Sequence, residues 1–426
     1  MLLSLFIFES IAQTTSPLSK LGIGDIRSQV FSANRGMGEI AAGYTSAIQI
    51  NKVNPASYAD INFTTFEVGA GLDARNFGIK DSSYSALAGA FSHFSMAMPL
   101  LRGKLGMSLG VLPYANLNYN FSQTSVDTAR FYSGKGGLYE AYIGFGGKYK
   151  GFSLGINGSY IFGSYNYYRG FLFNDTILNF NIQNNNKVTA SSFKYNIGAQ
   201  YKVILKKKNQ ENKLKTDIGL ILGVCGSSGV PLSVKSTTNW ERFFYYNAGT
   251  ATQVYVADTP LLYASVKNKI KMPYDISIGG TVGNENWWLL GADFKYTGWS
   301  QYANPIKNDV LKDSWRIAAG ISYLPNYESK AYLSRMTYRA GIYGGATPYT
   351  INGSSVNEIG GTVGLSLPFP FKKENRIWPE NGFARLLLNT DIGKRSASNN
   401  TISETYYRFT VGVTFNSQWF IKRKFD

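Results

Sequence analysis

The last strong hydrophobic pattern of the chain alternates large apolar residues with small or polar ones. Every second residue from Tyr407 to Phe415 is aromatic or valine, and the positions between them hold arginine, threonine and glycine. Successive side chains of a β-strand point to opposite faces, so the pattern predicts a strand with one apolar and one polar face. Aromatic rings stand at both ends of the apolar row, which is typical of a strand that crosses a bilayer. A strand of a soluble sandwich shows the same alternation, so the prediction depends on recurrence.

The pattern recurs in about fourteen segments after residue 60, and an even number suits a single-chain bacterial barrel. The predicted strands are 62–74, 84–98, 104–116, 138–150, 152–167, 192–205, 214–226, 272–283, 286–298, 313–323, 335–345, 358–367, 383–394 and 405–415. Charged residues fall on the face opposite the aromatic ones, as Asp293 and Lys295 do between Trp288 and Tyr296. Lipid accommodates charge only at a high cost in free energy, so the charged face should line the lumen. The fold class predicted is all-β, a transmembrane antiparallel β-barrel of about 14 strands.

Composition supports this prediction over a helical membrane protein. The 426 residues include 45 Gly, 30 Tyr and 27 Phe, only 16% are charged, and the mean hydropathy is −0.16. A membrane helix needs about 20 consecutive apolar residues, and the chain has no such run. A barrel places its apolar residues at alternate positions, so its average hydropathy stays unremarkable. The alternative is an array of soluble β-sandwiches.

The connections between the predicted strands also alternate in length. Those after even-numbered strands tend to be short, whereas the long ones, at 117–137, 168–191 and 227–271, follow odd-numbered strands. Short turns on one side and long loops on the other are typical of bacterial outer-membrane barrels. We therefore expect the protein in the bacterial cell outer membrane, in contact with outer-membrane lipid.

The chain before the first strand does not alternate. Residues 14–60 carry small residues with scattered apolar ones, enough material for an N-terminal hatch or plug in the lumen; the alternative is a periplasmic tail. The proposed hatch residues are Asn34, Arg35, Gly36, Asn54, Pro55 and Ala56. Residues 1–13 combine an apolar run with a small-residue site and predict the remnant of a signal peptide whose start lies upstream, the alternative being a disordered N-terminus. The barrel would span 61–416, and 417–426 would form a basic periplasmic tail.

The net charge of +17 does not indicate nucleic acid, because the basic residues are dispersed and no recognition helix or zinc motif carries them. Some lie at expected strand ends, where they would contact lipid phosphates or simply form a solvated rim. Others should face the lumen. These charged residues are Glu67, Glu140, Asp293, Lys295, Arg316, Arg339, Arg385 and Arg408. Ion pairs between hatch and wall are the expected role, and substrate contact is the alternative.

The sequence contains little catalytic chemistry. His93 is the only histidine and Cys225 the only cysteine, so neither a disulfide nor a histidine–cysteine metal cluster is expected. His93 follows Ser92, but no nucleophile elbow or orienting acid at a fixed spacing accompanies them. We expect a structural histidine, no enzymatic activity, no metal and no cofactor.

Several short motifs resemble the long-chain fatty-acid transporter family, FadL. The stretch 54–57 (NPAS) before the first strand is similar to the family's NPA motif, and 35–38 (RGMG) matches an earlier landmark. Later landmarks are similar at 272–274 (MPY), 293–300 (DFKYTGWS), 314–316 (SWR), 339–341 (RAG) and 347–349 (TPY). The matches run in the family's order over nearly the whole chain.

The resemblance implies a fourteen-stranded barrel whose N-terminal hatch ends at Asn54, Pro55 and Ala56. In this family an extracellular groove captures hydrophobic small molecules, which leave by a lateral gap in the wall. The capture surface would come from the loop 227–271, and exposed loops seldom carry so many aromatic residues without a partner. Its candidate residues are Trp240, Phe243, Phe244, Tyr245, Tyr246, Tyr255, Leu261 and Leu262. Alternatively, these residues only pack over the barrel mouth.

The carboxyl end departs from enterobacterial members of the family. A tail with Trp419 and Phe420 followed by basic residues stands where those barrels end on an aromatic residue. The tail resembles Bacteroidota relatives, including PorV-like subunits of the type IX secretion system, and it would anchor at the inner-leaflet interface or bind a partner. Passive transport of hydrophobic small molecules is the expected function. The alternative is a barrel subunit of a secretion or outer-membrane-protein assembly complex.

Overall fold

The computed structural model describes most of the chain. The described residues are 16–79, 82–173, 180–207, 217–248, 251–262, 266–307, 309–351, 353–370, 382–399 and 402–419. The predicted signal-peptide remnant and the end of the basic tail therefore lie outside the described residues, as do residues 208–216 between β7 and β8.

The described part of the chain contains eighteen strands in one antiparallel sheet. Their bounds are β1 Asp25–Ile26, β2 Thr64–Ile79, β3 Ser82–Leu101, β4 Leu105–Thr124, β5 Thr128–Tyr149, β6 Phe152–Phe173, β7 Asn181–Lys206, β8 Ile218–Ser227, β9 Leu232–Ala248, β10 Ala251–Leu262, β11 Val266–Ile270, β12 Asp275–Gly283, β13 Trp288–Thr297, β14 Ser314–Tyr323, β15 Thr337–Ile351, β16 Ser354–Pro370, β17 Phe383–Ala397 and β18 Ile402–Ser417.

Fourteen of these strands form a closed barrel, which confirms the predicted fold class. Strands β2 to β8 and β12 to β18 follow one another around the wall, and β8 pairs directly with β12. The last strand closes the barrel on the first, with Ser417 opposite Thr64 and Ile402 opposite Ile79. Each of the fourteen predicted segments coincides with one of these strands.

The prediction was wrong about the three long connections on one side. Only three residues separate the end of β4 at Thr124 from the start of β5 at Thr128. β6 extends to Phe173 and β7 begins at Asn181, so most of the predicted loop 168–191 belongs to these two paired strands. The segment 227–271 contains β9, β10 and β11, and β9 pairs with the first half of β7. Beyond the bilayer the outward face of a strand meets water, so the outward apolar row that marks the other strands is missing while ladder hydrogen bonds still form.

Short elements make up the chain before the barrel. They are the 3₁₀ helices Pro17–Lys20 and Pro55–Asp60, the strand β1 and the four-residue helix α1, Ser32–Arg35. Asn54 caps the second 3₁₀ helix, because its side chain accepts a hydrogen bond from the Ala56 amide at 3.2 Å. Two further 3₁₀ helices, Trp299–Gln301 and Tyr332–Arg335, lie between barrel strands.

The outward face of the barrel carries an apolar band. On β5, Tyr139 and Tyr149 mark its two edges and are 43% and 76% exposed, with the exposed residues Ile143 and Phe145 between them. Ten residues of a tilted strand cover about 25 Å along the barrel axis, which matches the height of a lipid-facing band. Such a surface requires a lipid environment, and the protein is located in the bacterial outer membrane, as predicted. No helix in the described part of the chain is long and apolar enough to cross a membrane.

Candidate functional site: the lumen and an opening in the wall

Residues 16–61 lie inside the barrel. β1 pairs with β4 on the edge that β3 leaves free beyond Val111, with Asp25 opposite Asn116, and the Asn54 side-chain amide donates to the carbonyl of Ala199 on β7 at 3.3 Å. On the opposite wall, the Gly38 amide donates to Thr362 on β16 at 2.8 Å. The segment therefore contacts the barrel wall on several sides.

Glycines in the strands make room for this segment. A Cβ atom at Gly106, Gly155 or Gly223 would lie closer than 3.0 Å to backbone atoms of Tyr58, Pro55 or Ala42 respectively. Such a contact forces one of the two chains to move, so the wall is shaped to the path of the N-terminal segment.

All six residues proposed for the hatch lie within this segment. Asn34 is buried and donates to the Ile40 carbonyl at 2.5 Å, and Arg35 donates to the Val30 carbonyl at 2.8 Å. Gly36 lies against Gly364 of β16. The cap residue Asn54, together with Pro55 and Ala56, is buried beside the inner faces of β5, β6 and β7. Their function as a hatch stays a prediction.

A buried ion-pair network joins the segment to the wall. The Arg75 guanidinium of β2 is fully buried and lies 2.7 Å from carboxylate oxygens of Asp25, Asp73 and Glu404. Arg395 of β17 also contacts Asp25, at 3.2 Å. Burial opposes ionisation of Asp25, but the attraction of Arg75 and Arg395 outweighs it and holds the pKa of this carboxyl well below its usual range. The Asp25 pairs are therefore kept at neutral pH and are lost only as pH falls through this depressed pKa.

Besides Glu67, described below, three of the predicted lumen charges also bind the segment. Glu140 pairs with Lys52 at 2.7 Å, and Arg316 pairs with Glu39 at 3.1 Å. One carboxylate oxygen of Asp293 accepts hydrogen bonds from the amides of residues 41 and 42, at 2.6 and 2.8 Å. Each of these three side chains thus contacts the segment, and their role in holding it to the wall stays a prediction.

The other predicted lumen charges have different surroundings. Arg408 pairs with Asp391 of the neighbouring strand at 2.9 Å, so this ion pair lies within the wall. Arg339 is buried, Arg385 lies 5.8 Å from the Phe383 ring centroid, and Lys295 borders an internal cavity.

That cavity lies inside the barrel and has a volume of about 270 Å³. Its lining is strongly charged. The charged residues around it are Asp25, Arg27, Glu39, Lys194, Asp275, Asp293, Lys295, Arg316, Glu358, Arg395 and Arg408. A hydrophobic molecule gains little from such walls, whereas water and ions are compatible with them.

The second cavity, of about 120 Å³, lies at the barrel mouth, and its lining combines apolar and aromatic residues with the polar residues Arg169, Asn184, Asn186, Asn304 and Lys307. Val188 of β7, Leu232 of β9 and Ile270 of β11 form its wall, Tyr165 and Tyr167 supply aromatic rings, and Ile23 of the N-terminal segment also borders it. Cavities of roughly 150 Å³ with apolar walls bind benzene. This pocket is therefore of the size of one small aromatic molecule.

The barrel wall has an interruption between β3 and β4. From Phe94 to Leu101, β3 pairs with the first residues of β4, but the described residues Ser82 to His93 pair with β2 alone. Ser92 is an extra residue in β3, because Phe91 is opposite Ala70 while His93 is opposite Gly69. Such a bulge bends a strand away from its neighbour.

A narrow cavity of about 40 Å³ lies at this bulge. It is bordered by Leu72 and Phe91, which are 52% and 43% exposed on the lipid side, and by the lumen residues Arg27, Asp73 and Arg408. The interruption therefore brings the lumen and the lipid-facing surface close together.

Ser92 and His93 belong to a buried polar chain that the sequence analysis missed. His93 Nδ1 lies 3.0 Å from Ser92 Oγ, and Nε2 lies 3.0 Å from Glu67, which also accepts the Ser32 amide of α1 at 3.1 Å. The arrangement resembles a serine–histidine–acid triad, but His93 is fully buried and stacks on Phe31 at 4.3 Å. These contacts connect the bulge to the N-terminal segment. Glu67 lies 26 residues before His93, and only strand pairing brings them together.

The predicted capture residues lie on β9 and β10, which form a hairpin rather than a loop. Trp240 and Tyr255 are 39% and 59% exposed, whereas Phe243 is buried. Phe244 contacts both Tyr255 and Phe180, with ring centroids 5.0 and 6.1 Å apart. Of the remaining four residues only the backbone is described; they are Tyr245, Tyr246, Leu261 and Leu262. Capture by this surface stays a prediction.

Solved structures that share this fold include a FadL homologue and two toluene transporters, as their titles name them. A FadL homologue of Pseudomonas aeruginosa is 13% identical with a TM-score of 0.62, over 93% of this chain and 100% of that one. The toluene transporter TodX of Pseudomonas putida is 14% identical with a TM-score of 0.58, over 92% and 100%. The toluene transporter TbuX of Ralstonia pickettii is 11% identical with a TM-score of 0.53, over 92% and 99%. At these identities the similarity shows the fold.

No curated protein matches the chain by sequence. The three solved structures support the FadL resemblance of the short motifs at the level of the fold. The Bacteroidota branch with its PorV-like relatives stays a prediction. A family model named BamG matches residues 1–426, the whole chain. The chain, which folds into a fourteen-stranded barrel with its N-terminal segment ion-paired inside the lumen, belongs to the BamG family.

Proposed function

We propose that the barrel carries small hydrophobic molecules across the outer membrane and releases them through the wall between β3 and β4. The observation that carries this proposal is the interrupted ladder at Ser92, where the lumen meets the lipid-facing surface. A lateral exit suits a hydrophobic cargo, because such a molecule is more stable in lipid than in the 270 Å³ cavity with its charged lining.

The 120 Å³ pocket at the mouth, with its aromatic and aliphatic wall, is the proposed entry site. Its volume of about 120 Å³ suits a single aromatic ring, and the toluene transporters that share the fold agree with this size. The exposed rings of Trp240 and Tyr255 on the β9–β10 hairpin would collect such molecules above the pocket. The N-terminal segment would act as the hatch, because its Ile23 borders the pocket and its ion pairs hold it in place.

Deleting Ser92 tests the exit. The deletion removes the one extra residue of β3, so Phe91 and His93 become neighbours with their β2 partners unchanged, and the strand can continue flat toward β4. Uptake of radiolabelled toluene by cells expressing the variant should fall to the level of cells without the barrel.

The matched control is Ser92→Ala, which removes the hydroxyl and keeps the extra residue. Its uptake should stay near that of the original protein. Both variants must show the heat-modifiable mobility of a folded barrel in gel electrophoresis. A folded deletion variant with unchanged uptake would refute the lateral exit.

A second candidate function is a subunit of a secretion or outer-membrane-protein assembly complex. The charged lining of the 270 Å³ cavity and the buried ion pairs of the N-terminal segment favour it, since a fixed, polar lumen is a poor path for hydrophobic cargo. Affinity purification from native membranes distinguishes the two functions. Stoichiometric recovery of other membrane proteins would support the subunit, and recovery of the barrel alone would support transport.

A further inference from the structure

The outer surface of the barrel carries a basic concave patch where β7, β9 and β11 meet. Its described lining contains three lysines and no carboxylate, around a volume of about 660 Å³. The residues that line this patch are Thr189, Ser191, Ser233, Val234, Lys235, Lys267, Asn268 and Lys269. The lysine side chains are all exposed.

Strand register brings these groups into two adjacent rows. Lys235 of β9 lies opposite Lys267 on one side and Thr189 on the other, and Ser233 lies between Lys269 and Ser191 in the same way. Two lysines directly opposite each other repel and destabilise a sheet by themselves. The pair is stabilised when an anion lies between the two ammonium groups.

The patch faces the membrane side of the wall and not the lumen. Val188 and Ala190, which alternate with Thr189 and Ser191 on β7, are buried among the residues of the lumen core. On the outward face of the same strand, Phe193 is 76% exposed and its ring lies 4.9 Å from that of Tyr160. Tyr160 in turn stacks on Phe162, so aromatic rings border the apolar band here.

The height of the patch matches the lipid headgroups. Ser191 and Thr189 precede Phe193 by two and four residues along β7, which corresponds to about 5 and 10 Å along the barrel axis. The headgroup layer occupies about 5 to 8 Å on each side of the hydrocarbon core. The patch lies at the end of the barrel where β5, β6 and β7 extend beyond the apolar band. The first and last strands begin and end at the opposite, periplasmic end, so the patch is on the extracellular side.

We propose that this patch binds the phosphate groups of lipid headgroups in the outer leaflet, and that a phosphorylated glycolipid is its ligand. Ammonium groups form charge-assisted hydrogen bonds to phosphate oxygens, and the hydroxyls of Thr189, Ser191 and Ser233 add neutral donors. The acyl chains of the same lipid would pack on the rings of Phe193 and Tyr160. Lys187, exposed two residues beyond Thr189 on the same face of β7, extends the basic surface.

Native mass spectrometry of the full-length barrel in detergent tests this proposal. The probes are diphosphorylated lipid A, the same lipid A after enzymatic removal of its phosphates, and inorganic phosphate. The test variant carries Lys235→Gln, Lys267→Gln and Lys269→Gln. The control variant carries Lys104→Gln, Lys202→Gln and Lys206→Gln, three exposed lysines at the opposite end of the barrel.

Each lysine near a phosphate-rich surface contributes roughly a fivefold gain in affinity, so the test variant should bind phosphorylated lipid A more weakly by on the order of a hundredfold. The control variant should bind phosphorylated lipid A as the original protein does. Dephosphorylated lipid A should bind weakly to the original protein and to both variants. Equal binding by test and control variants, or by both forms of lipid A, would overturn the proposal. Displacement of the lipid by millimolar inorganic phosphate would assign the patch to free phosphate instead.

Discussion

Arg75 is the central cation of the buried ion-pair network in the lumen. It is fully buried and contacts three carboxylates, one from the N-terminal segment and two from the wall. A buried cation of this kind is tolerated because its charge is compensated on all sides. Each of the three carboxylates depends on it in return.

Replacing Arg75 with Gln leaves these carboxylates without their shared cation. We expect a loss of about 3–5 kcal/mol in the free energy of unfolding, measured by urea denaturation in detergent. The control is Arg242→Gln, which breaks an exposed arginine–aspartate pair on the β9–β10 hairpin and should leave the urea midpoint unchanged. Equal midpoints for the two variants would contradict the role given to Arg75.

At this scale the sequence predicted the kind of residue but not its partners. Alternation with aromatic residues was enough to predict that Glu140, Asp293 and Arg316 face inward. The identity of Lys52 and Glu39 as their partners depends on the path of a segment that has no periodicity. The contact of Glu67 with His93 depends on strand register.

At the scale of elements, the inner surface of the barrel wall is complementary in shape to the N-terminal segment. The glycines that face it remove side chains where its backbone approaches, and Gly223 lies directly against the carbonyl of Ala42. The fit is therefore between two backbones, which leaves little freedom for either to shift.

Gly223→Ala should displace the segment while the barrel still closes. Forcing a methyl group into such a contact costs about 1–3 kcal/mol, and hydrogen exchange at residues 40–58 should become faster. Gly158→Ala is the matched control, because a Cβ at Gly158 of β6 meets nothing within 4 Å. If both variants exchange alike, the segment is not held by this contact.

The extracellular strands show where element prediction failed. β9 and the first half of β7 are continuous ladders, yet their sequences were assigned to loops. The apolar residues of these strands, such as Val188 and Leu232, face the lumen, and the outward apolar row that marks a strand inside the bilayer is missing.

For the whole molecule, the apolar band decides where the protein resides. Ile156 lies on the outward face of β6 inside this band and is 49% exposed. In lipid, a charge at this position has no water or counter-charge beside it.

Ile156→Lys should destabilise the inserted barrel by about 2–4 kcal/mol relative to the original protein. The measurement is the fraction of heat-modifiable, folded barrel across a urea series in lipid vesicles. Leu333→Lys serves as the control, since Leu333 is 67% exposed in the 3₁₀ helix Tyr332–Arg335 between β14 and β15, outside the band. A matching loss in the control would mean that Ile156 does not face lipid.

The sequence by itself determined the barrel, its fourteen strands and the division between lipid and lumen. These properties follow from a period of two, which each strand such as β18 displays within its own residues. The bulge at Ser92, the interruption between β3 and β4, and the row of lysines on β9 and β11 were decided only by the tertiary structure. Each of them depends on which residue of one strand lies opposite which residue of the next, and the alternation of a single strand carries no information about its register with a partner.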